Sequence, residues 1–179
     1  MEDKNTKQIS IDLGLPSGTL WADRNIGAST PEDFGDYFAW GEVNPKNTEY
    51  SWETYEYKKS PKNLPELCDA AAENLGTDWR IPTYEQFEEL KTNCKDVWTG
   101  KGYSFESKIN GKTLFLPAAG YVGFASYSWF VGEGGYYWSS SIDEDNNARA
   151  MYLLFYSGGA ITGSHSRCVG YPIRAVRCK

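Results

Sequence analysis

Long apolar runs are missing from this chain. Nowhere in its 179 residues does a stretch approach the roughly 18 consecutive apolar residues of a membrane span, and the opening MEDKNTKQIS carries no apolar core of a secretion signal. The chain is therefore expected to be soluble, without direct membrane insertion. Basic clusters are missing as well. Lys and Arg number 18 against 24 Asp and Glu, for a net charge of −6, and the cations are scattered. Such a surface repels phosphate backbones, which excludes nucleic acid as a partner. Histidine occurs once, at His165, and cysteine four times, at Cys68, Cys94, Cys168 and Cys178. No CxxC pair and no Cys/His cluster has zinc spacing, and the cysteine density is far below that of a disulfide scaffold. The thiols are either buried and free, or two of them form one bridge.

What the chain has in abundance is aromatic surface: seven Trp, thirteen Tyr and eight Phe, 16% of all residues. Rings give large contact area at little rotamer cost, in cores and in recognition surfaces alike. A chain of this length buries about 70% of its unfolded surface, enough for one core. No repeat, low-complexity tract or linker divides it, so residues 1–179 are read as a single domain.

In chain order, Ile9 to Leu13 reads as a short strand, Gly14 to Gly18 as a turn and Thr19 to Ala22 as its hairpin partner. Phe34 to Glu42 (FGDYFAWGE) is a packed strand or loop, and Asn44 to Lys59, polar and irregular, a surface loop. Helical spacing of Leu64, Leu67, Cys68, Ala71, Ala72 and Leu75 predicts a helix over Pro65 to Asn74, capped by Asn63 and ended by Gly76. A second helix follows Thr83, which has capping-box spacing to Gln86, with Tyr84, Phe87, Leu90 and Cys94 on one face. Strands return at Lys112 to Leu116 and Gly135 to Ser139. Two helices held between an N-terminal hairpin and a C-terminal antiparallel sheet make an α+β arrangement.

The last quarter reads as a display surface. From Ala150 to Tyr156 the chain alternates, placing Met151, Leu153 and Phe155 on a packed face and Tyr152, Leu154 and Tyr156 on an outward one. Ser157 to Gly159 supplies a hairpin turn into Ala160 to Thr162, and Tyr171 to Arg177 is the final strand. Asp143 to Asn147 and Gly163 to Arg167 are polar and without period, as loops are. The loops and the outward face are the candidate site.

Six stretches, DLGLPSGTLWA, GDYFAWGE, DAAAENLGTDWRIPT, LFLPAAGY, YWSSS and a closing R-x-x-GYPIRAVR, together span nearly the whole chain. They resemble a family of bacterial surface and lipoprotein domains, the Fibrobacter major paralogous domain, which is similar to the C-type lectin fold and to formylglycine-generating enzymes. They are also similar to the variable proteins of diversity-generating retroelements. This resemblance implies a C-type lectin-like fold with Ile9–Leu13 paired to the terminal strand near Ile173 to Arg177. It further implies a variable segment at 138–177 and ligand binding by loops on a fixed scaffold. The implied frame is Trp138 to Ser141, Ala150, Leu153, Phe155, Arg167, Gly170 and Arg174. The implied ligand-binding positions are Asp143, Asp145, Asn146, Asn147, Arg149, Tyr152, Leu154, Tyr156, Thr162, Ser164, His165 and Ser166. Glu144 and Met151 fall outside that set, because their codons end in a purine and cannot descend from an asparagine template codon. The implied partner is a protein or glycan on another cell or host surface, with this chain extracellular, on a bacterial surface or virion. A structural or adhesin-like module without diversification is the alternative. Cys68 and Cys178 occupy positions similar to a helix-to-last-strand disulfide of C-type lectins.

Catalysis, metals and cofactors find no complete residue set. Asp143, Asp145 and Asn147 match the first three alternate ligands of a calcium loop, but Ala148 stands where glycine is required and Leu154 where glutamate is. The calcium and sugar motifs of C-type lectins and the closely spaced cysteine pair of formylglycine-generating enzymes are missing too. His165 lies three residues from Cys168, a spacing that does not by itself make a thiol and base pair. Glu85, Glu88 and Glu89 at the start of the second helix read as a solvated face complementing the helix dipole. The expectation is a non-enzymatic binding module with no cofactor and no metal.

Overall fold

The computed structural model describes residues 8–178. In chain order it contains β1 (Ser10–Asp12), β2 (Leu20–Ala22), α1 (Ala70–Leu75), α2 (Tyr84–Asn93), β3 (Cys94–Trp98), β4 (Gly102–Ser107), β5 (Thr113–Pro117), β6 (Tyr121–Val122) and β7 (Ser128–Trp129). These are followed by β8 (Gly134–Ile142), β9 (Arg149–Tyr156), β10 (Gly159–Ser166) and β11 (Val176–Arg177). Strand accounts for 35% and helix for 12%, arranged as four small antiparallel sheets with two helices. This overturns the α+β, C-type lectin-like expectation: the chain builds a β-rich fold. The reason lies partly in the first helix. Its apolar spacing holds, but Glu66–Cys68 tightens into a 3₁₀ turn, and Asp69, which has extended backbone angles, starts a helix of only six residues.

Asp69 is also the cap that the spacing had assigned to Asn63. Its carboxylate accepts from the amides of Ala71 at 2.9 Å and Ala72 at 3.3 Å, and from that of Ile81 on the next segment. Asn63 instead accepts the Ser141 hydroxyl at 2.7 Å, joining this segment to β8. Gly76 ends α1 at φ 101° as expected. The second helix forms as its sequence predicts: Thr83 Oγ1 accepts from the Gln86 amide at 3.3 Å and Gln86 Oε1 from the Thr83 amide at 2.9 Å, with Phe87 and Leu90 buried beneath.

The termini are joined, but not in the expected order. β2 lies between β1 and β11, so the terminal strand pairs Val176 with Trp21 and Arg177 with Leu20 rather than meeting Ile9 to Leu13. On its other side Val176 exchanges two backbone hydrogen bonds with Arg80, both 2.8 Å. Asn44 to Lys59 is no simple surface loop either. Tyr50 and Tyr55 turn inward, donating their hydroxyls to the carbonyls of Tyr37 at 2.5 Å and Trp40 at 2.7 Å.

The sheet β10-β9-β8 separates two cores. One face of β8 and β9 sends Tyr137, Leu153 and Phe155 into a cluster with Trp21, Phe87, Phe105 and Leu116. The opposite face sends Trp138 and Ala150 into a second cluster with Trp40, Tyr55, Tyr171 and Ile173. Two motifs lock across the second core: Trp40 Nε1 donates to the Ser139 carbonyl at 2.9 Å, and Trp138 Nε1 to the Phe38 carbonyl at 2.8 Å. Every residue of the implied frame is buried. Gly135 must be glycine because the Phe155 ring covers it, 2.0 Å from where a Cβ would stand.

Arg174 is fully buried beside this sheet. Its Nε donates to Asn25 Oδ1 at 2.9 Å, and one terminal nitrogen donates to the carbonyls of Ala22 at 3.2 Å and Asp23 at 2.8 Å. Replacing it leaves three buried acceptors unpaired, so Arg174→Met is expected to cost about 3 to 5 kcal/mol in urea unfolding, with Arg174→Lys recovering only part of that loss. Phe155→Ala should cost a similar amount, about 3 to 5 kcal/mol, because it empties a ring's volume between β9 and Gly135.

Candidate functional site

The register of the C-terminal hairpin decides where the sequence-derived positions go. Gly159 pairs with Tyr156, Ile161 with Leu154, Thr162 with Leu153, Gly163 with Tyr152, Ser164 with Met151, His165 with Ala150 and Ser166 with Arg149. Gly163 to Ser166, expected as a loop, is therefore strand. Its polar sequence has no apolar alternation, and it is strand because β9 offers it a complete ladder. Paired residues share a face, so the twelve positions fall into three places rather than one.

The first place is the turn between β8 and β9. Asp145, Asn146 and Asn147 are exposed there, and Asp143 Oδ1 accepts from the Asp145 amide at 3.0 Å. The second is the inner face of the hairpin. Ser164 accepts from Arg149 Nε at 3.0 Å, and the Asp143 carboxyl sits below its ordinary range because the Ser164 hydroxyl binds it. Thr162 donates to Glu88 at 2.6 Å, and Lys91 donates to the same carboxylate at 3.0 Å. Burial raises the Glu88 carboxyl, but these two donors outweigh it and hold it below its ordinary value. Glu88 and Glu89 are thus not merely a solvated face: Glu89 accepts both the amide and the hydroxyl of Ser17, at 2.8 and 2.6 Å, tying α2 to the N-terminal hairpin. Ser166 shares a 3.2 Å hydrogen bond with the Cys168 thiol.

The third place is the outer face, with Tyr152, Leu154, Tyr156 and His165. The alternation is in the expected register, yet only Tyr156 of the three β9 residues is exposed. Tyr152 is half-buried because remote segments cover it. Its ring lies 6.0 Å from Tyr136 and 5.4 Å from Tyr171, and the His165 ring stacks on Tyr171 at 6.0 Å. Tyr121 closes the group, 5.0 Å from Tyr136 and 5.6 Å from Tyr171. Burial holds the phenols of Tyr121, Tyr136, Tyr152 and Tyr171 above their ordinary range, with neighbouring phenols adding to the last three. Tyr171 Oη and His165 Nδ1 are buried without a partner among the described residues. A buried polar group in that state calls for an explanation, and two of them fall in one cluster.

Beyond Tyr136 the outer face is open and continues onto a segment that sequence reasoning passed over. Phe124, Tyr127, Trp129, Phe130 and Val131 are between 43% and 70% exposed. They stand on the β6–β7 ribbon and the turn after it, which is rooted by the Gly120 amide donating to Gly134 at 2.8 Å and the Val122 amide donating to Gly170 at 2.9 Å. Ala125 at φ 56° and Phe130 at φ 57° hold left-handed backbone without being glycine, a strain of about 1 to 3 kcal/mol each. The signal was in the sequence: five large apolar residues crowd into 124–131 with neither strand nor helix period, so no regular element could bury them. Between this turn and the β9–β10 turn runs a groove of about 720 Å³ that takes in Leu154 and Tyr156.

Cys168 and His165 do not form a thiol and base pair. The Cys168 thiol is buried, which raises its pKa, and its hydrogen bond is with Ser166 rather than with the imidazole. The expected Cys68 to Cys178 bridge does not form, and all four thiols are free.

Burial, reinforced by the Arg149 guanidinium, holds the His165 imidazole below its ordinary pKa of 6.5. A base depressed in the folded state binds its proton more readily when unfolded, so this group leaves stability unchanged above the ordinary value and lowers it as pH falls from there toward the depressed one. Urea midpoints are expected to drop between pH 7.5 and 5.5, and to drop less in His165→Phe, which keeps the ring and removes the titration. No family model, no curated protein and no solved structure matches this chain.

Proposed function

We propose that this chain is a non-enzymatic ligand-binding module that presents its outer sheet face and the neighbouring aromatic turn to a protein or glycan on another cell or host surface. The carrying observation is the exposed apolar band from Phe124 to Val131, contiguous with the Tyr136, Leu154 and Tyr156 side of the sheet. A monomeric soluble surface seldom holds so many exposed rings together unless something covers them. The strained backbone that carries Phe130 supports the same reading, since strain persists where surrounding structure enforces it and gathers at binding sites. The resemblance to variable proteins of diversity-generating retroelements supports diversification within 138–177. The buried frame and the exposed 145–147 turn suit it: substitutions in that turn cost the core nothing, whereas Tyr152 is tied into it.

Two measurements test this. The gene's neighbourhood should contain a reverse transcriptase and a near-copy of the codons for residues 138–177 that differs at adenines; an undiversified locus removes that part of the proposal. Labelled domain should bind host or neighbouring cells, and Tyr156→Ala with Trp129→Ala should weaken that binding about thirtyfold, about 2 kcal/mol, while melting shifts by only a few degrees. Tyr152→Ala, by contrast, should lower the melting temperature, because its ring packs against four others. Undiminished cell binding by the first pair overturns the surface assigned here.

A further inference from the structure

The groove at the open end of the outer face has a composition that selects its occupant. Four rings border it: Trp98 from β3, Phe130 from the strained turn, Tyr136 from β8 and Tyr156 from β9, with Leu154 at its base. Glu133 is the one charged side chain among the described residues that line it, and no lysine, arginine or histidine does. Two of its rings have neighbours that constrain them. Phe130 lies 6.0 Å from Tyr136, and the Tyr156 ring folds over Gly158, 2.4 Å from where a Cβ would stand. Burial and nearby phenols push the Tyr136 hydroxyl up to about 12, and the Glu133 carboxylate adds to the shift, which puts that carboxylate within electrostatic reach of the ring.

We propose that this groove binds a quaternary ammonium group of the choline type. π faces attract cations, and the attraction grows where water is partly displaced. Glu133 supplies the countercharge, and a net charge of −6 favours a cationic ligand over the whole surface. A primary ammonium would need its three N–H donors satisfied on entering, and Glu133 is the one carboxylate among the described residues that line the groove. A quaternary ammonium has no N–H to satisfy. The volume, about 720 Å³, holds such a headgroup together with part of the chain that carries it. The assignment rests on reading this face as a binding surface and names the chemistry of one part of it.

The test is an amide and indole chemical-shift titration of the full chain with choline, with its neutral isostere 3,3-dimethylbutan-1-ol, and with n-butylammonium. Choline should give saturable shifts centred on the Trp98 indole and the Gly132 and Gly134 amides, with the isostere and the primary amine at least about fivefold weaker. Glu133→Gln should weaken choline several-fold and leave the isostere unchanged, and Phe130→Ala should abolish both. Equal affinity for choline and its isostere, an equally tight primary amine, or shifts mapping elsewhere each overturn the proposal. Cosedimentation with phosphatidylcholine but not phosphatidylglycerol vesicles would identify a lipid-borne headgroup; choline shifts without vesicle binding would assign the site to a soluble or polymer-borne one. Cell binding that survives Glu133→Gln, with no choline shifts, sinks the cation assignment and leaves the binding surface standing. Choline binding by a domain that binds no cell does the reverse.

Discussion

A single buried guanidinium holds the N-terminal hairpin and the last strand of this chain together. Arg174 lies just before β11 and reaches Asn25 and the carbonyls of Ala22 and Asp23 at the end of β2. Asn25 passes the linkage on, donating to the Phe34 carbonyl at 2.9 Å and to the Tyr137 hydroxyl at 3.2 Å, and Tyr137 donates in turn to the Pro117 carbonyl at 2.8 Å. Five remote segments therefore meet at one buried charge. Desolvation pushes the pKa of Arg174 down to about 10, so the group stays charged at neutral pH, and oriented carbonyls and an amide offset part of the cost of burying it, while its second terminal nitrogen has no partner among the described residues. Because those partners lie about 150 residues before Arg174, the charge is tolerable only when the two segments have met. The network selects closure as much as it stabilises it.

With the termini fixed, the sheet β10-β9-β8 becomes a wall between two cores, and its two faces meet different fates. The inner face is covered from Leu153 to Phe155 by α2 and by the β3-β4-β5 sheet. The outer face is covered at Trp138 and Ala150 by the second core and around Tyr152 by Tyr121 and Tyr171, and this cover ends at Tyr136. The uncovered remainder is continued by a ribbon with aromatics on its surface. Apolar side chains sit in water there because strained backbone and anchored glycines hold them out. That is an arrangement folding alone would not favour.

The positions assigned to ligand binding differ in what surrounds them. Asp145, Asn146 and Asn147 hang on a turn that closes through its own backbone. Arg149, Ser164 and Asp143 form a polar knot at the hairpin's edge, and Thr162 is engaged with α2. Along β9, Arg149 and Tyr156 are seven residues apart, about 23 Å at strand rise, so the set describes a rim and a face rather than a pocket. A ligand touching all twelve would have to be large, whereas the groove beside Tyr156 suits a small group.

The features legible in the sequence were those set by neighbours in the chain. The capping box of Thr83 and Gln86, the helix stop at Gly76, the turn at Ser157 and Gly158 and the alternation of β9 all follow from spacing of a few residues, because the hydrogen bonds and side-chain faces involved are local. Tertiary structure decided the rest. Asp69 rather than Asn63 is the cap because Glu66–Cys68 tightens into a 3₁₀ turn and α1 starts only at Ala70, and Asn63 pairs with Ser141 instead. Gly163 to Ser166 became strand because β9 stood beside it, and β2 came between the two terminal segments because Arg174 draws β11 to the residues after β2. Most consequentially, alternation could say that Tyr152, Leu154 and Tyr156 share a face but not what covers that face. Tyr171, Tyr121 and Phe130 bury half of it and extend the other half, and their arrival depends on contacts between residues far apart in sequence, which no local period encodes.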